Sequence, residues 1–509
     1  MTNTGTNIHF EKQKLWFVLI PYLILLGVSL FLHELWGDEV HSWNLAKGSQ
    51  TLSDLFANIR YEGHPPLWYL LLYSLTKITH QPNAMQFLQF AICGLTAYIF
   101  LFKTKLRLSY KILILFGYYF LYEYAALSRN YTIGILIAFT ICILMDSTTK
   151  FKNVYYLTLL FILSNTHFLS LILAISLHGY YFLYLKNEIL SLSKRLVYFF
   201  LGLIVLVPAF YFIWPPTNSN LNTDFWMRIW SKDQIFISVQ APLKAFCPIP
   251  AWWEYHFWNT QFLVLIQKTV FIFKYINPFL SLFFISLSIY LLYPNKKVVY
   301  FFLTNSILTL LFALIFPLVT ARYVGFIFIG FVIALILTKD TIQLSKLKHI
   351  LINGLLALQL IGSIIALSKD WRYPFSHINE VKTICERVPK GKEIITDYWC
   401  LNYLSAAMDK PFYCLGFNQE KLFLLWDMEM KAVSEQKNSY SQGAQIYFQT
   451  HATEAVYFIT NTSNNDLIQR DSLFFTYFKV ELMNGQTDAI ERYSNINLYK
   501  VSKRPKDDE

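Results

Sequence analysis

The chain has 509 residues, of which 55% are hydrophobic, 18% aromatic and only 15% charged. That balance excludes an ordinary soluble protein and suits a polytopic membrane protein carrying an additional domain. The net charge of +11 does not indicate nucleic acid: Lys and Arg fall in short clusters between apolar runs, as in cytoplasmic loops beside anionic headgroups.

A membrane-crossing helix needs about 20 apolar residues, and Lys and Arg in short loops mark the inner side. Lys12 and Lys14 precede an apolar run from Leu15 to Leu32. The run is too long for a signal-peptide core and has no small-residue cleavage site, so it reads as an uncleaved first span, 15–33, leading outward. The first outer loop is 34–83. Within it, 65–79 is apolar but reaches only about 22 Å as a helix, and it reads as an interfacial helix lying flat. Charge supports this: with 65–79 flat, span 84–103 delivers Lys103, Lys105, Arg107 and Lys111 to the inner side.

Further spans are expected at 110–127, 131–148, 153–166, 167–186, 196–214, 276–293, 298–317, 323–338 and 349–368, eleven in all. Lys150, Lys152, Lys186, Lys194, Arg195, Lys296, Lys297, Lys339, Lys346 and Lys348 then lie inside, and the C-terminus lies outside. A second outer segment, 215–275, is rich in Trp and Pro, and its stretch 257–274 reads as another interfacial helix. The transmembrane part is thus 1–368.

From 369 charged and amide residues rise and apolar runs shorten. Short strands are expected at 393–399, 411–415, 455–460 and 496–501, and helices at 400–408 and 440–451. The expected fold is an α-helical polytopic plasma-membrane protein with a cytoplasmic N-terminus and an extracytoplasmic α/β domain at 369–509, ending in a disordered tail, 503–509. The six cysteines have no metal-binding spacing. Cys247, Cys385, Cys400 and Cys414 fall outside, where a disulfide and free thiols are both open.

The residues suited to chemistry gather on the outer side. Asp38-Glu39 directly follows the first span. Carboxylates near an interface need solvent or a partner, so the pair is either a solvated or helix-capping feature or a general base with an orienting partner. Glu62 and His64 precede Pro65-Pro66, which starts a helix and stiffens the approach to it. A histidine and carboxylates in one loop could hold a divalent metal, but the spacing names none. Arg129 with Tyr131, and Arg322 with Tyr323, stand at the outer ends of spans. They read as snorkelling or internally paired residues, or as a clamp for a phosphate at headgroup level. His167 also falls on this side. No Walker, Gly-x-Gly-x-x-Gly or His-Glu-x-x-His motif stands where it would carry meaning, so a cytoplasmic nucleotide donor is not expected.

Asp38-Glu39, the run Pro65-Pro66-Leu67-Trp68-Tyr69, Arg129-x-Tyr131 and Arg322-Tyr323 together resemble the C-type glycosyltransferase superfamily. The nearest branch is that of protein O-mannosyltransferases and aminoarabinose-transferase-like enzymes, and the resemblance covers about 10–370. It implies eleven to thirteen helices, interfacial helices in the first outer loop, and a polyprenyl-phosphate sugar donor used on the outer face. It implies that Asp38 deprotonates or orients the acceptor, that Glu39 orients Asp38 or the acceptor, and that Arg129 and Arg322 stabilise the phosphate leaving group. The acceptor would be an envelope lipid, glycan or protein. The sequence departs at His64, where the lipid A branch often has Lys before Pro-Pro, and no metal site carries over. Two other readings compete. A lipid-linked glycan flippase would line its path with charges, for which only Glu123 and Asp146 offer themselves. A glycan polymerase or ligase would use a different outer-loop pattern.

Overall fold

The computed structural model describes residues 4–185, 191–222, 231–315, 320–338 and 344–504. Lys186, Lys339 and most of the expected tail lie outside them. Among the described residues, seven helices are long and apolar enough to cross a membrane: Gln13–Leu32, Ala84–Lys103, Leu192–Ile213, Phe273–Leu292, Lys296–Ile315, Ala321–Thr338 and Lys346–Asp370. All seven fall at expected spans.

The first helix shows why such a sequence packs as it does. Leu19, Tyr22, Leu26 and Leu30 recur at helical spacing and are buried, while Phe17, Ile24 and Phe31 face outward. Both stripes are apolar, so the helix has a protein face and a lipid face. Ala321–Thr338 is different: 83% of its apolar window is buried. It is the central post of the bundle, and Arg322 stands in its first turn.

The remaining four spans are shorter helices. Tyr131–Met145 has 15 residues, Lys152–Ser164 has 13, and Phe168–Leu185 follows the latter after a brief turn. The span expected at 110–127 is not continuous. A helix over Leu108–Leu115 gives way at Gly117 to a π-turn over Tyr119–Glu123. Gly117 allows this junction, because a Cβ there would come within 2.9 Å of the Gln359 side chain.

The outer segments differ most from expectation. Asp38-Glu39 is not in a loop but in the first turn of a helix, Gly37–Gly48, where carboxylates favour the positive end of the helix dipole. The stretch 65–79, expected to lie flat, contains a ten-residue helix, Leu67–Thr76. The helix expected at 257–274 is broken. Phe262–Ile266 forms a short helix, and the chain turns before Phe273–Leu292 begins. Asn277, buried in that span, donates to the carbonyl of Leu263 at 3.2 Å and to Gln267 at 3.0 Å, folding the short helix back upon it. Another short helix, Ala241–Phe246, enters the bundle, where Gln359 donates to its last two carbonyls.

The C-terminal part carries a six-stranded mixed sheet: β1 (Ile394–Thr396), β2 (Phe412–Cys414), β3 (Gln419–Lys421), β4 (Ala455–Thr460), β5 (Phe478–Gln486) and β6 (Ile496–Lys503), in the order β3-β2-β1-β4-β6-β5. β1 is parallel to β2 and β4, and the other pairs are antiparallel. Four strands were expected; β3 and β5 were not. The helices at 400–408 and 440–451 form as Leu401–Met408 and Ser439–Thr450.

Alternation along the strands divides two cores. Val456, Phe458, Tyr499 and Val501 pack with Tyr440, Tyr447 and Phe448. Tyr457, Ile459, Ile496 and Leu498 face the other way, into a core shared with Val40, Trp43, Leu55, Trp68 and Leu72 of the first outer loop. The sheet and the loop helices are thus built on one another. All six cysteines are buried free thiols.

Candidate active site

The helix Gly37–Gly48 begins where the first span ends, and Glu39 fixes it there. The Glu39 carboxylate is fully buried. It accepts the main-chain N–H of Ser128 and that of Trp36, the latter at 2.9 Å, and it meets His33 Nε2 at 3.3 Å. His33 Nδ1 lies 3.0 Å from Asp370, the last residue of the helix Lys346–Asp370. Burial by itself would lower the His33 pKa; Asp370 foremost, with Glu39, raises it to about 10. His33 is therefore an imidazolium donating to both carboxylates. This buried triad ties the site helix to the first span, the last span and the turn before Arg129.

Asp38, one residue earlier, has the opposite environment. Its side chain is 40% exposed and faces two guanidiniums, with Arg322 Nη1 at 3.5 Å and Arg129 Nη2 at 3.9 Å. Arg129 also donates to the Asp38 carbonyl at 2.6 Å and to Ser42 at 3.1 Å. Arg322 sits among the rings of Trp36, Trp258 and Tyr323, 4.9, 5.4 and 5.1 Å from its guanidinium carbon. Aromatic faces hold a cation in place without neutralising it. The Nε of each arginine is buried without a protein partner. Two permanent cations thus answer one carboxylate, leaving N–H groups and positive charge for a further anion.

His41 and Ser42 share a helix face with Asp38. His41 Nε2 is 2.9 Å from Glu62, which also accepts from the Tyr69 hydroxyl at 3.2 Å. Burial works against charging His41, but Glu62 outweighs it and raises the pKa. Pro65 and Pro66 have no N–H, so Leu67 supplies the first main-chain donor of its helix start, and it bonds the Asn165 carbonyl at 3.0 Å. That bond brings His64 against His167, with ring centroids 4.7 Å apart, and Tyr131 lies 4.6 Å from His167. The soluble part closes the other side. Tyr403 sits over Gly37 and bonds Ser494, and Glu491 accepts from Ser494 at 2.7 Å. Asn402 approaches His41 at 3.4 Å.

The structure therefore gathers the residues singled out in the sequence: Asp38, Arg129 and Arg322 in direct contact, with Glu39 behind them, Tyr323 against Arg322, and Glu62, His64, His167 and Tyr131 alongside. Sequence reasoning missed His33, His41, Ser42, Trp36, Trp258, Asp370 and Glu491. For His33 a signal existed, an imidazole at the outer end of the first span six residues before Glu39. Among the described residues, no group of three His, Cys, Asp or Glu side chains is arranged to hold a metal ion.

This chain, a polytopic helical bundle with a C-terminal α/β unit, shares its fold with a solved structure. It is similar to the crystal structure of ArnT from Cupriavidus metallidurans bound to undecaprenyl phosphate, with a TM-score of 0.54 over 98% of each chain at 12% sequence identity. No family model and no curated protein sequence matches the chain.

Proposed function

We propose that this protein is an integral-membrane glycosyltransferase that moves a sugar from a polyprenyl-phosphate carrier to an envelope lipid, glycan or protein acceptor on the outer face. The observation that carries the reading is the convergence of Arg129 and Arg322 on the half-exposed Asp38. The likeness to a structure that holds undecaprenyl phosphate supports the choice of carrier.

In this mechanism the donor phosphate takes N–H groups of both arginines, and Asp38 turns to the acceptor. Asp38 accepts the acceptor hydroxyl proton as the oxygen forms its bond to the anomeric carbon. The bond from that carbon to the phosphate oxygen breaks on the opposite face, its electron pair passes to the phosphate, and the configuration inverts. The guanidiniums stabilise the charge developing there. Glu39 takes no proton. Its oxygens are occupied, and it positions Asp38. Glu62, His64 and His167 form the wall around the sugar, and Tyr131 and Tyr323 flank the phosphate.

The flippase reading draws no support from Glu123 and Asp146. Glu123 accepts from Tyr118 at 2.8 Å and Trp258 at 3.2 Å, beside the outer site. Asp146 is exposed at the end of the helix Tyr131–Met145. The deciding experiment is transfer by the purified protein, supplied with radiolabelled polyprenyl-phosphate sugars and an envelope lipid extract. Label should move to a new acceptor. Donor scrambling across liposomes without any transfer would replace the proposal with a flippase.

A further inference from the structure

His167 is a buried imidazole and His64 a half-buried one packed against it, and the proton position of His167 is readable. His167 is 1% exposed. Its Nδ1 accepts the Leu169 N–H at 3.0 Å. A ring nitrogen that accepts carries no proton, so the neutral ring bears its proton on Nε2. That Nε2–H is buried without a protein partner, and so is His64 Nδ1. Buried donors and acceptors in native proteins find partners, and these two nitrogens flank the place where substrate is proposed to bind.

Both rings are uncharged. Burial first, then Arg129, pushes His64 down to about 4. Burial first, then His64 and Arg129, pushes His167 well below its ordinary value. The surroundings define what such a pair can recognise. A cationic sugar would meet Arg129 and Arg322, with Asp38 committed to the acceptor hydroxyl in the proposed mechanism and Glu62 held by His41 and Tyr69. An anionic sugar would find no charge on the histidines. Hydroxyl groups, which both donate and accept, suit a fixed N–H and a neutral ring nitrogen.

Resting on the glycosyltransferase reading, we infer that His64 and His167 form the sugar-selecting wall of the site, hydrogen-bonding the hydroxyls of an uncharged sugar on the polyprenyl phosphate, with His167 Nε2–H as donor. The donor class is then a neutral hexose or pentose, not the amino sugar that gives the resembling branch its name.

The test uses the full-length protein in nanodiscs and three probes: undecaprenyl phosphate, its neutral hexose conjugate and its amino-sugar conjugate. Wild type should bind the hexose conjugate at least about tenfold tighter than the amino-sugar conjugate. His167→Phe and His64→Phe keep an aromatic ring and remove the nitrogens. Each should weaken the hexose conjugate about tenfold, the scale of one lost hydrogen bond, and leave undecaprenyl phosphate within about twofold. His167→Gln, which keeps an N–H donor, should recover part of the loss and carries the test if a Phe variant fails to assemble. Preference for the amino sugar, unchanged hexose binding in the variants, or equal weakening of undecaprenyl phosphate would overturn the inference while leaving the transferase reading in place. Failure of wild type to bind undecaprenyl phosphate at all would overturn both.

Discussion

Two aspartates in two regions show how differently one side chain is used. Asp397, just beyond β1 in the sheet, is fully buried and saturated. It accepts the N–H groups of Trp399 and Cys400 at 3.1 and 3.0 Å, and the hydroxyls of Thr460 and Tyr440 at 2.6 and 3.2 Å. Asp38, in the first turn of the helix after the first span, is partly exposed and meets two guanidiniums at 3.5 and 3.9 Å, too far for tight hydrogen bonds. Four short bonds from fixed donors make Asp397 part of the fold. Loose ion pairs leave Asp38 free to exchange partners, which is what a base that must release one group and take another requires. Glu39 stands between them: it neighbours Asp38 in sequence and resembles Asp397 in bonding.

Replacing the two aspartates should separate these roles. Asp38→Asn should lower turnover on the order of a thousandfold, within the range for a lost general base, with little change in melting temperature. Activity near wild type would remove Asp38 from the chemistry. Arg322→Ala should lower turnover on the order of a hundredfold by withdrawing charge from the leaving phosphate, and Arg322→Lys should recover only part of it, because a point charge does not replace a planar fork. Turnover unchanged in Arg322→Ala would sink the clamp.

Asp397→Asn should act in the other direction. An amide N–H facing donors leaves buried groups unsatisfied and should destabilise by about 2 kcal/mol, seen as a lower denaturation midpoint, with turnover per folded molecule kept. Loss of turnover without loss of stability would erase the contrast. The smallest effect concerns the triad behind Asp38. The His33 pKa is raised from an ordinary value near 6.5 to about 10 in the folded protein. Its stabilisation is complete below about pH 6.5 and is lost as pH rises toward 10. The melting temperature should therefore fall across that window, and His33→Gln should flatten the fall. Equal slopes in both proteins would show that His33 is not held charged.

The elements differ in how far the chain announces them. Seven of the expected spans are helices of 18 residues or more because a long apolar run leaves the backbone no alternative in lipid. The span 110–127 is broken at Gly117, and three others are shorter helices or lie at the limit of length. Asp38-Glu39, Arg129 and Arg322 were visible because charged residues beside apolar runs are conspicuous. The strands β3 and β5 were not. β3 is the polar run Gln419–Lys421, and β5 is an edge strand with Asn484 and Gly485 beside a bulge. Their pairing comes from the neighbouring strand, not from a local pattern. His33 and Asp370 are 337 residues apart, and nothing local to either announces the other.

The sequence by itself determined the helical membrane scaffold and the conspicuous charged residues that stand beside its apolar runs. Those are consequences of hydropathy and charge, which act residue by residue. Only the tertiary structure decided that Glu39 is buried and fully bonded while Asp38 lies partly exposed between two arginines, that His64 packs against His167, and that one face of the sheet completes the core of the segment after the first span. Each of these depends on which distant groups satisfy a buried polar atom or cover an apolar face, and the chain settles that only when it is packed.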